Sequence, residues 1–167
     1  LTRGPAPLRL RGYGESNDAF HMSSPHPEGL GAEAALDDAL ARAGLGIDAI
    51  DFVNLHGTAS ARNDEAEAAL VARRYRADVH ACATKGLTGH TMGAAGIVEA
   101  AICWLALEGV VRAGSAPTEA TDAAFGPTFA GQLRLQPERG RAGVAASHSF
   151  GFGGNNAVLL FDTTEHA

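Results

Sequence analysis

Residues 50–56, Ile-Asp-Phe-Val-Asn-Leu-His, predict a buried strand that ends directly at a histidine, His56. Gly57 comes next, and a glycine lets the backbone approach a ligand closely. Residues 79–84 predict a second short strand that delivers Lys85 to a loop, and His90 follows in the same loop. Ligands gather at such strand ends in open α/β sheets. The two loops are therefore the first candidates for a functional site.

Outward from these loops, the chain alternates strands with helices. Helices are predicted at 28–43, 63–75 and 92–107, and further strands at 8–11, 143–149 and 156–161. The expected end of the first helix is Gly44, and the expected cap of the second is Asn63 or Asp64. Residues 115–132, rich in proline and glycine, predict a long irregular connection. The pattern predicts one α/β domain, residues 1–167, with a mixed five-stranded sheet and a buried, almost wholly apolar central helix at 92–107.

Composition narrows the possible functions. The chain has 167 residues, of which 46% are hydrophobic and 19% charged, which is typical of a soluble globular domain. Its formal net charge of -6 offers no broad basic surface, so nucleic acid and anionic membrane are not expected partners. The longest apolar run, Ala100–Leu107, is too short to cross a bilayer. The chain starts at Leu1 rather than methionine, and we expect a fragment or cleaved piece of a longer protein.

The candidate residues fit one kind of chemistry. Neutral rings at His56 and His90 can each donate an N–H to one thioester oxygen, as an enzyme that stabilises an enolate requires. The expected place of His90 at the N-terminus of the apolar helix disfavours a charged ring, because the helix dipole is positive there. Glu99 lies inside that helix, where an unpaired carboxylate is costly, so a buried pair with Lys85 is expected. Taken singly, a strand-end histidine or a surface lysine in a glycine-rich turn remains an ordinary structural alternative.

The sequence lacks the residue patterns that several other kinds of functional site require. Residues 150–154, Phe-Gly-Phe-Gly-Gly, predict a hairpin rather than a dinucleotide loop, because no strand-to-helix turn follows them. The seven histidines and two cysteines have no zinc-ligand spacing, so no metal is expected. Cys82 and Cys103 have the surroundings of core residues rather than activated thiolates, and their use favours a reducing cytoplasm. The chain thus offers oxyanion donors without an evident nucleophile.

Three motifs follow one another in the chain: residues 54–60 (Asn-Leu-His-Gly-Thr-Ala-Ser), 84–96 (Thr-Lys-Gly-Leu-Thr-Gly-His-Thr-Met-Gly-Ala-Ala-Gly) and 149–156 (Ser-Phe-Gly-Phe-Gly-Gly-Asn-Asn). Together they resemble the motifs of the beta-ketoacyl-acyl-carrier-protein synthases, the condensing enzymes of fatty acid and polyketide synthesis. Residues 12–14, 18–22 and 25–27 also look like the elongating type. The likeness extends over essentially the whole chain but covers only the C-terminal half of such an enzyme. It implies a thiolase-like fold in which two similar halves pack together.

The resemblance also implies a role for each candidate. His56 and His90 would stabilise the enolate formed when a malonyl thioester loses carbon dioxide, and the carbanion would attack an acyl group held on a cysteine of the N-terminal half. Lys85 would support the second histidine through Glu99, and Phe152 would be a gate whose N–H helps to form an oxyanion hole. The positions that would contact the phosphopantetheine arm or the substrate are Thr58, Ser60 and Phe150. The resemblance implies no tightly bound cofactor.

The implied partners are an acyl carrier protein, the N-terminal half and a second subunit in a homodimer or heterodimer. Five positions depart from the family's usual residues: Ala59, Ala61, Asn63, His148 and Asn155, where serine, proline, glycine, asparagine and threonine are common. These departures leave the histidine pair and the lysine untouched but bear on loop geometry and chain-length preference.

Two alternatives stay open: a non-catalytic partner that sets chain length in a condensing heterodimer, and an isolated interaction half. Thiolase itself is rejected, because the C-terminal glycine-rich motif carries Phe152 and no cysteine. Residues 73–76, Arg-Arg-Tyr-Arg, fit either a docking site for an acidic carrier protein or a solvated helix end.

Overall fold

The computed structural model of the chain describes residues 6, 8–111, 114–115, 121–133 and 143–163. Strands alternate with helices in these residues. In chain order the elements are β1 (Leu8–Asn17), α1 (Leu30–Ala43), β2 (Phe52–Asn54), α2 (Ala61–Arg74), β3 (His80–Cys82), α3 (Lys85–Thr88), α4 (Ala95–Leu107), α5 (Gly126–Gln132), β4 (Val144–Phe150) and β5 (Asn155–Thr163).

The strands form one mixed sheet in the order β1-β5-β4-β2-β3. β2 pairs in parallel with both β3 and β4, whereas β5 pairs antiparallel with β4 and with β1. α2 connects β2 to β3, since parallel neighbours need a crossover rather than a tight turn. The prediction of a layered α/β domain with a mixed five-stranded sheet is confirmed.

Helices cover both faces of this sheet, because successive side chains of a strand point to opposite sides. On one face, Val53 of β2 packs with Leu36 of α1 and Leu70 of α2 in the larger core. On the other face, Phe52 packs with Cys103 of α4 in the smaller core. The loops that follow β2 and β3 therefore begin between two helical layers.

The glycines of the Gly12-Tyr13-Gly14 motif bring β1 directly against α1. A Cβ atom at Gly14 would collide with the backbone carbonyl of Ala35, and one at Gly12 with that of Ala39. Small residues on both elements therefore fix the spacing between the sheet and its first helix.

The prediction of a buried helix at 92–107 is wrong for one side of that helix. Its inner face packs Ala100, Cys103 and Leu107 against the sheet. On its outer face, however, Ile97 is 72% exposed and Trp104 is 47% exposed. A helix that is apolar all round needs a neighbour on each side, so this outer face has the composition of an interface.

The expectation of an irregular connection at 115–132 is also wrong for its described part, which contains the helix α5. Pro127 lies in the first turn of this helix, where proline is tolerated because its missing N–H has no intrahelical partner in any case. Residues 116–120 lie outside the described residues. Pro127 therefore marks the start of a helix rather than a loop.

The helix boundaries predicted from capping residues are partly correct. Gly44 ends α1 in the left-handed conformation at φ 66°, as expected. α2, however, begins at Ala61 with Ser60 in the cap position, so Asn63 and Asp64 lie within its first turn.

In the part of the chain that the structure describes, no helix has the length and apolar character needed to cross a membrane. Cys82 and Cys103 are both free thiols. The cytoplasmic location expected from cysteine usage stays a prediction.

Candidate active site

The parallel pairing of β2 and β3 brings the two predicted site loops together. Both strands end at the same edge of the sheet, and the Leu55 N–H donates to the Cys82 carbonyl at 2.8 Å just beyond the ladder. The Thr84 hydroxyl then donates to the Asn54 side-chain carbonyl at 3.0 Å. These bonds hold the loop that carries His56 against the segment that carries Lys85.

Gly57 is needed for this close approach of the two loops. Its φ is 42°, and a Cβ atom there would lie only 2.7 Å from the Cβ of Ala83. A larger residue would therefore push the His56 loop away from the start of α3. The structure thus gives this glycine a packing reason, and its expected close approach to a ligand stays a prediction.

The two histidines lie side by side, as the sequence predicted. The ring centroids of His56 and His90 are 6.0 Å apart, and the ring planes are nearly perpendicular at 88°. His56 is buried, with 8% of its surface exposed, whereas His90 is exposed. One ring is thus fixed in the protein interior and the other lies at the surface beside it.

Lys85, the only lysine in the chain, forms a buried ion pair with Glu99, as predicted. Its ammonium also donates to the His56 carbonyl at 2.5 Å and lies 3.3 Å from His56 Nδ1. An ammonium can only donate, so Nδ1 accepts and the neutral ring carries its proton on Nε2. The hydrogen bonds of Lys85 go to Glu99 and to the first histidine, and the expected support of the second histidine through Glu99 stays a prediction.

The surroundings of His56 favour its neutral form. Burial lowers the pKa of this imidazole to about 4, and the Lys85 ammonium acts in the same direction. The carboxylate of Glu67 raises the pKa but does not outweigh desolvation. Near neutral pH, His56 is therefore an uncharged ring with one N–H to donate.

His90 also has an acceptor at Nδ1, but its hydrogen-bond partner is a different kind of group. It does not sit at the first turn of the apolar helix, because α4 begins only at Ala95. Instead, a short 3₁₀ turn at Met92–Ala94 precedes α4, and the Met92 N–H donates to His90 Nδ1 at 3.2 Å. A backbone N–H needs a lone pair on Nδ1, so the His90 proton is on Nε2 as well.

A buried carboxylate on the far side of His56 had no role assigned from the sequence. Glu67 of α2 accepts the His56 N–H at 2.8 Å, the Gly57 N–H at 2.9 Å and His148 Nδ1 at 3.0 Å. Burial favours a raised pKa for Glu67, yet the hydrogen bond and charge of His148, with the charge of His56 and the Gly57 N–H, lower it overall. A charged residue on the apolar face of a helix was the available signal, as it was for Glu99.

The remaining site candidates lie around the histidine pair in different environments. Phe150 is buried, and its ring centroid is 5.9 Å from that of His56. Phe152, two residues on, is 78% exposed. The hydroxyls of Thr58 and Ser60 are 3.0 Å apart and lie at the protein surface after the His56 loop.

The basic side chains at 73–76 largely form ion pairs within the domain. Arg74 pairs with Glu33 and with Asp37 of α1, each at 2.6 Å, and Arg73 also pairs with Glu33. These ion pairs join α2 to α1, which favours a structural explanation over a docking site for a carrier protein.

The arrangement defines a class of site: two imidazoles that each present an Nε2–H beside one another, at the strand ends of a layered α/β domain. Such a pair can stabilise an oxyanion. Residues 8–118 match the family described as beta-ketoacyl synthase, C-terminal domain. The chain belongs to this family.

Curated relatives and solved structures agree with that assignment. The chain is 39% identical over 155 residues to 3-oxoacyl-[acyl-carrier-protein] synthase 2 of Rhizobium meliloti, covering 89% of this chain and 35% of the relative. It is 38% identical over 159 residues to the mitochondrial 3-oxoacyl-[acyl-carrier-protein] synthase of Arabidopsis thaliana, covering 91% of this chain and 34% of the relative. The chain thus spans about a third of the length of these relatives.

Among solved structures, the ketosynthase ApeO in complex with its chain length factor ApeC from Xenorhabdus doucetiae matches with a TM-score of 0.83 and 40% identity. That match covers 98% of this chain and 41% of the other. A beta-ketoacyl synthase from Burkholderia phymatum matches with a TM-score of 0.70 and 32% identity, covering 94% of this chain and 38% of the other. The thiolase-like fold expected from the resemblance is confirmed.

Proposed function

We propose that this chain is the C-terminal part of a 3-oxoacyl-acyl-carrier-protein synthase and supplies the two histidines of its active site. The reaction is the decarboxylative Claisen condensation of malonyl-acyl carrier protein with an acyl-enzyme thioester, in fatty acid or polyketide biosynthesis. The observation that carries the proposal is the pair of rings 6.0 Å apart, with each Nδ1 occupied by a donor. Each ring is left with an Nε2–H, and we propose that both donate to the same oxygen.

The chemistry follows from these donors. When the malonyl thioester loses carbon dioxide, the electron pair of the broken carbon–carbon bond moves toward the thioester oxygen as an enolate. His56 and His90 donate hydrogen bonds to that oxygen and stabilise the charge that develops there. The enolate carbon then attacks the carbonyl carbon of the acyl-cysteine thioester, and the cysteine thiolate leaves.

Lys85 and Glu99 act on this reaction through His56. The ammonium keeps the Nδ1 of His56 occupied as an acceptor, so the proton of that ring remains on Nε2. Glu99 in turn neutralises the buried ammonium. We assign both residues to the positioning of His56 rather than to contact with substrate.

We assign substrate contacts to residues around the histidine pair. Thr58 and Ser60 carry hydroxyls at the surface beside the His56 loop, which suits hydrogen bonds to a phosphopantetheine arm. Phe150 packs against His56, and the exposed Phe152 is proposed as the gate. The names of the relatives, synthases of 3-oxoacyl-[acyl-carrier-protein], support a carrier protein as the donor of the substrate.

The nucleophile of this reaction must come from outside the chain. Burial raises the pKa of Cys82 to about 12 and also raises the pKa of Cys103 well above its ordinary value. Both thiols are therefore protonated and enclosed in the core, where neither can attack a thioester. We propose that an N-terminal half supplies the reactive cysteine and that the segment alone does not condense acyl groups.

The outer face of α4 is proposed as part of the surface that meets this N-terminal half. Ile97 and Trp104 are exposed there. An exposed apolar patch is unfavourable in water and commonly marks a surface that contacts another protein. Trp104 is the chain's only tryptophan, so its fluorescence reports this contact directly. A blue shift on mixing with the N-terminal half supports the assignment, and an unchanged spectrum in a complex that has formed contradicts it.

The alternative is a non-catalytic subunit that sets chain length. The ketosynthase structures from Xenorhabdus doucetiae and of the ishigamide system were solved with their chain length factors, which supports a heterodimer as one possible assembly beside a homodimer. The catalytic assignment is favoured because His56, His90 and Lys85 are all retained and mutually connected. A subunit without catalytic function has no need of this connected set of side chains.

The test is malonyl decarboxylation by the enzyme in which this chain is combined with its N-terminal half. His56→Ala and His90→Ala should each lower the rate by about a hundredfold or more, the usual effect of removing one oxyanion donor. His80→Ala is the matched control, since His80 lies at the start of β3, the end away from Lys85, and its loss should leave the rate near the parental value. Parental rates in either active-site variant contradict the proposal, and product length that changes without any loss of decarboxylation favours the alternative.

A further inference from the structure

His148 of β4 occupies a fully buried position between two polar partners. Its Nδ1 is 3.0 Å from Glu67 Oε1, and its Nε2 is 2.7 Å from the Tyr75 hydroxyl. None of its surface is exposed, and both partners are also buried. A buried imidazole with both nitrogens engaged is held in a single orientation.

The direction of each hydrogen bond follows from the chemistry of the partners. A carboxylate accepts, so His148 donates its Nδ1–H to Glu67. Burial raises the pKa of Tyr75, which keeps the phenol protonated and able to donate to Nε2. The result is a continuous chain of donors that starts at Tyr75 and ends on the Glu67 carboxylate.

Glu67 connects this chain to the candidate active site. The same carboxylate accepts the backbone N–H groups of His56 at 2.8 Å and Gly57 at 2.9 Å. A second connection runs through Phe150, whose ring centroid is 5.2 Å from that of His148 and 5.9 Å from that of His56. His148 thus reaches the His56 loop by a polar route and by an apolar route.

We propose that His148 is a positioning residue for His56: by holding the Glu67 carboxylate, it fixes the backbone of the His56–Gly57 loop. The consequence for catalysis rests on the proposed function. The consequence for the His56 loop does not, because it concerns only contacts within this domain. The experiment that tests the proposal therefore measures the His56 loop directly.

The two nitrogens of the ring can be replaced one at a time. An asparagine places its side-chain amide near the position of Nδ1 and can still donate to Glu67. A glutamine places its amide near the position of Nε2 and favours Tyr75 instead. Asparagine is also the residue common at this position in the family that the sequence resembles, so His148→Asn and His148→Gln form a matched pair of buried amides.

The experiment is hydrogen exchange and NMR titration on the full chain, in the parent and both variants. In His148→Gln, exchange of the His56 and Gly57 amides should speed up by about tenfold or more, since their shared acceptor loses a charge-assisted partner. The titration midpoint of His56 should also rise toward the ordinary histidine value as the loop loosens. In His148→Asn both readouts should stay near the parent.

Gln132→Leu controls for a general loss of stability. Gln132 is fully buried and donates to the carbonyls of Val71, Tyr75 and Arg76 at the end of α2, so its removal destabilises the same helix without touching Glu67. It should leave local exchange at His56 and Gly57 unchanged relative to the rest of the chain. The proposal is overturned if His148→Gln leaves both readouts at parental values, or if His148→Asn alters them as much as His148→Gln. Parental decarboxylation by the assembled His148→Gln enzyme despite a loosened His56 loop would count against the proposed function instead.

Discussion

Lys85 and Glu99 form an ion pair in the interior, between the short helix α3 and the long helix α4. Their side chains are 5% and 2% exposed. Burial raises the pKa of Glu99, while the hydrogen bond and charge of Lys85 oppose that rise. The pair therefore stabilises the site only as a pair, because either charge alone would remain desolvated without a partner.

Replacing one partner should be much worse than replacing both. Glu99→Gln leaves the Lys85 ammonium buried beside a neutral amide, and we expect a loss of about 3–5 kcal/mol in the free energy of unfolding. Urea denaturation of the chain measures this loss. The double variant Lys85→Met with Glu99→Gln should recover a large part of it. If the two single losses simply add in the double variant, the two side chains are not coupled.

Stability should also fall between neutral and mildly acidic pH because of His56. Its pKa is about 4 in the folded chain and 6.5 ordinarily, so the unfolded chain binds the proton first as pH falls. The contribution is fully present above pH 6.5 and is lost as the pH approaches 4. Its full size is on the order of 3 kcal/mol.

His56→Gln removes this titration and provides the comparison. Between neutral pH and about pH 4.5, the variant should lose less unfolding free energy than the parent. The Glu67 carboxylate is present in both proteins, but part of the lowering of its pKa comes from His56, so replacing His56 reduces the acid sensitivity of that contribution in the same direction. An identical pH dependence in parent and variant would show that His56 is not held in its neutral form by the fold.

Ala59 carries backbone strain in the loop between His56 and α2. Its φ is 60°, a left-handed conformation that is unfavourable for a residue with a Cβ atom. Ala59→Gly should therefore stabilise the chain by about 0.5–1 kcal/mol in urea denaturation, after the greater freedom of glycine in the unfolded chain is deducted. Ala69→Gly, on the exposed face of α2, is the matched control and should destabilise by about 1 kcal/mol. Destabilisation in both variants would mean that Ala59 is not strained.

Much of the site could be predicted because it depends on local pattern. The strand that ends at His56 and the strand that leads to Lys85 are both short apolar runs, and parallel strands place their ends together. Glu99 could be paired with Lys85 in advance because a lone carboxylate in an apolar helix demands a cation. These inferences need no knowledge of distant packing.

The predictions that failed, and the contacts that were missed, concern features that depend on tertiary contacts. The sequence places Lys85 near both histidines, but it does not show that the ammonium reaches His56. That contact forms where the two loops approach closely, at the packing of Gly57 against Ala83. The contact of His148 with Glu67 joins β4 to α2 across the core, and no sequence spacing encodes it. Likewise, an apolar helix looks buried until the structure leaves one face without a neighbouring element within the described chain, as for α4.

The central claim is that His56 and His90 are neutral rings that each present an Nε2–H. Nitrogen-15 NMR of histidine side chains tests it directly, because the two tautomers of a neutral ring give different signals. At about pH 8, well above the ordinary pKa of histidine, both rings should carry their proton on Nε2 and accept at Nδ1. A proton on Nδ1 of either ring would contradict the account. The Nε2 of that ring, which faces away from Lys85 or Met92, would then carry no proton to donate to the shared oxygen.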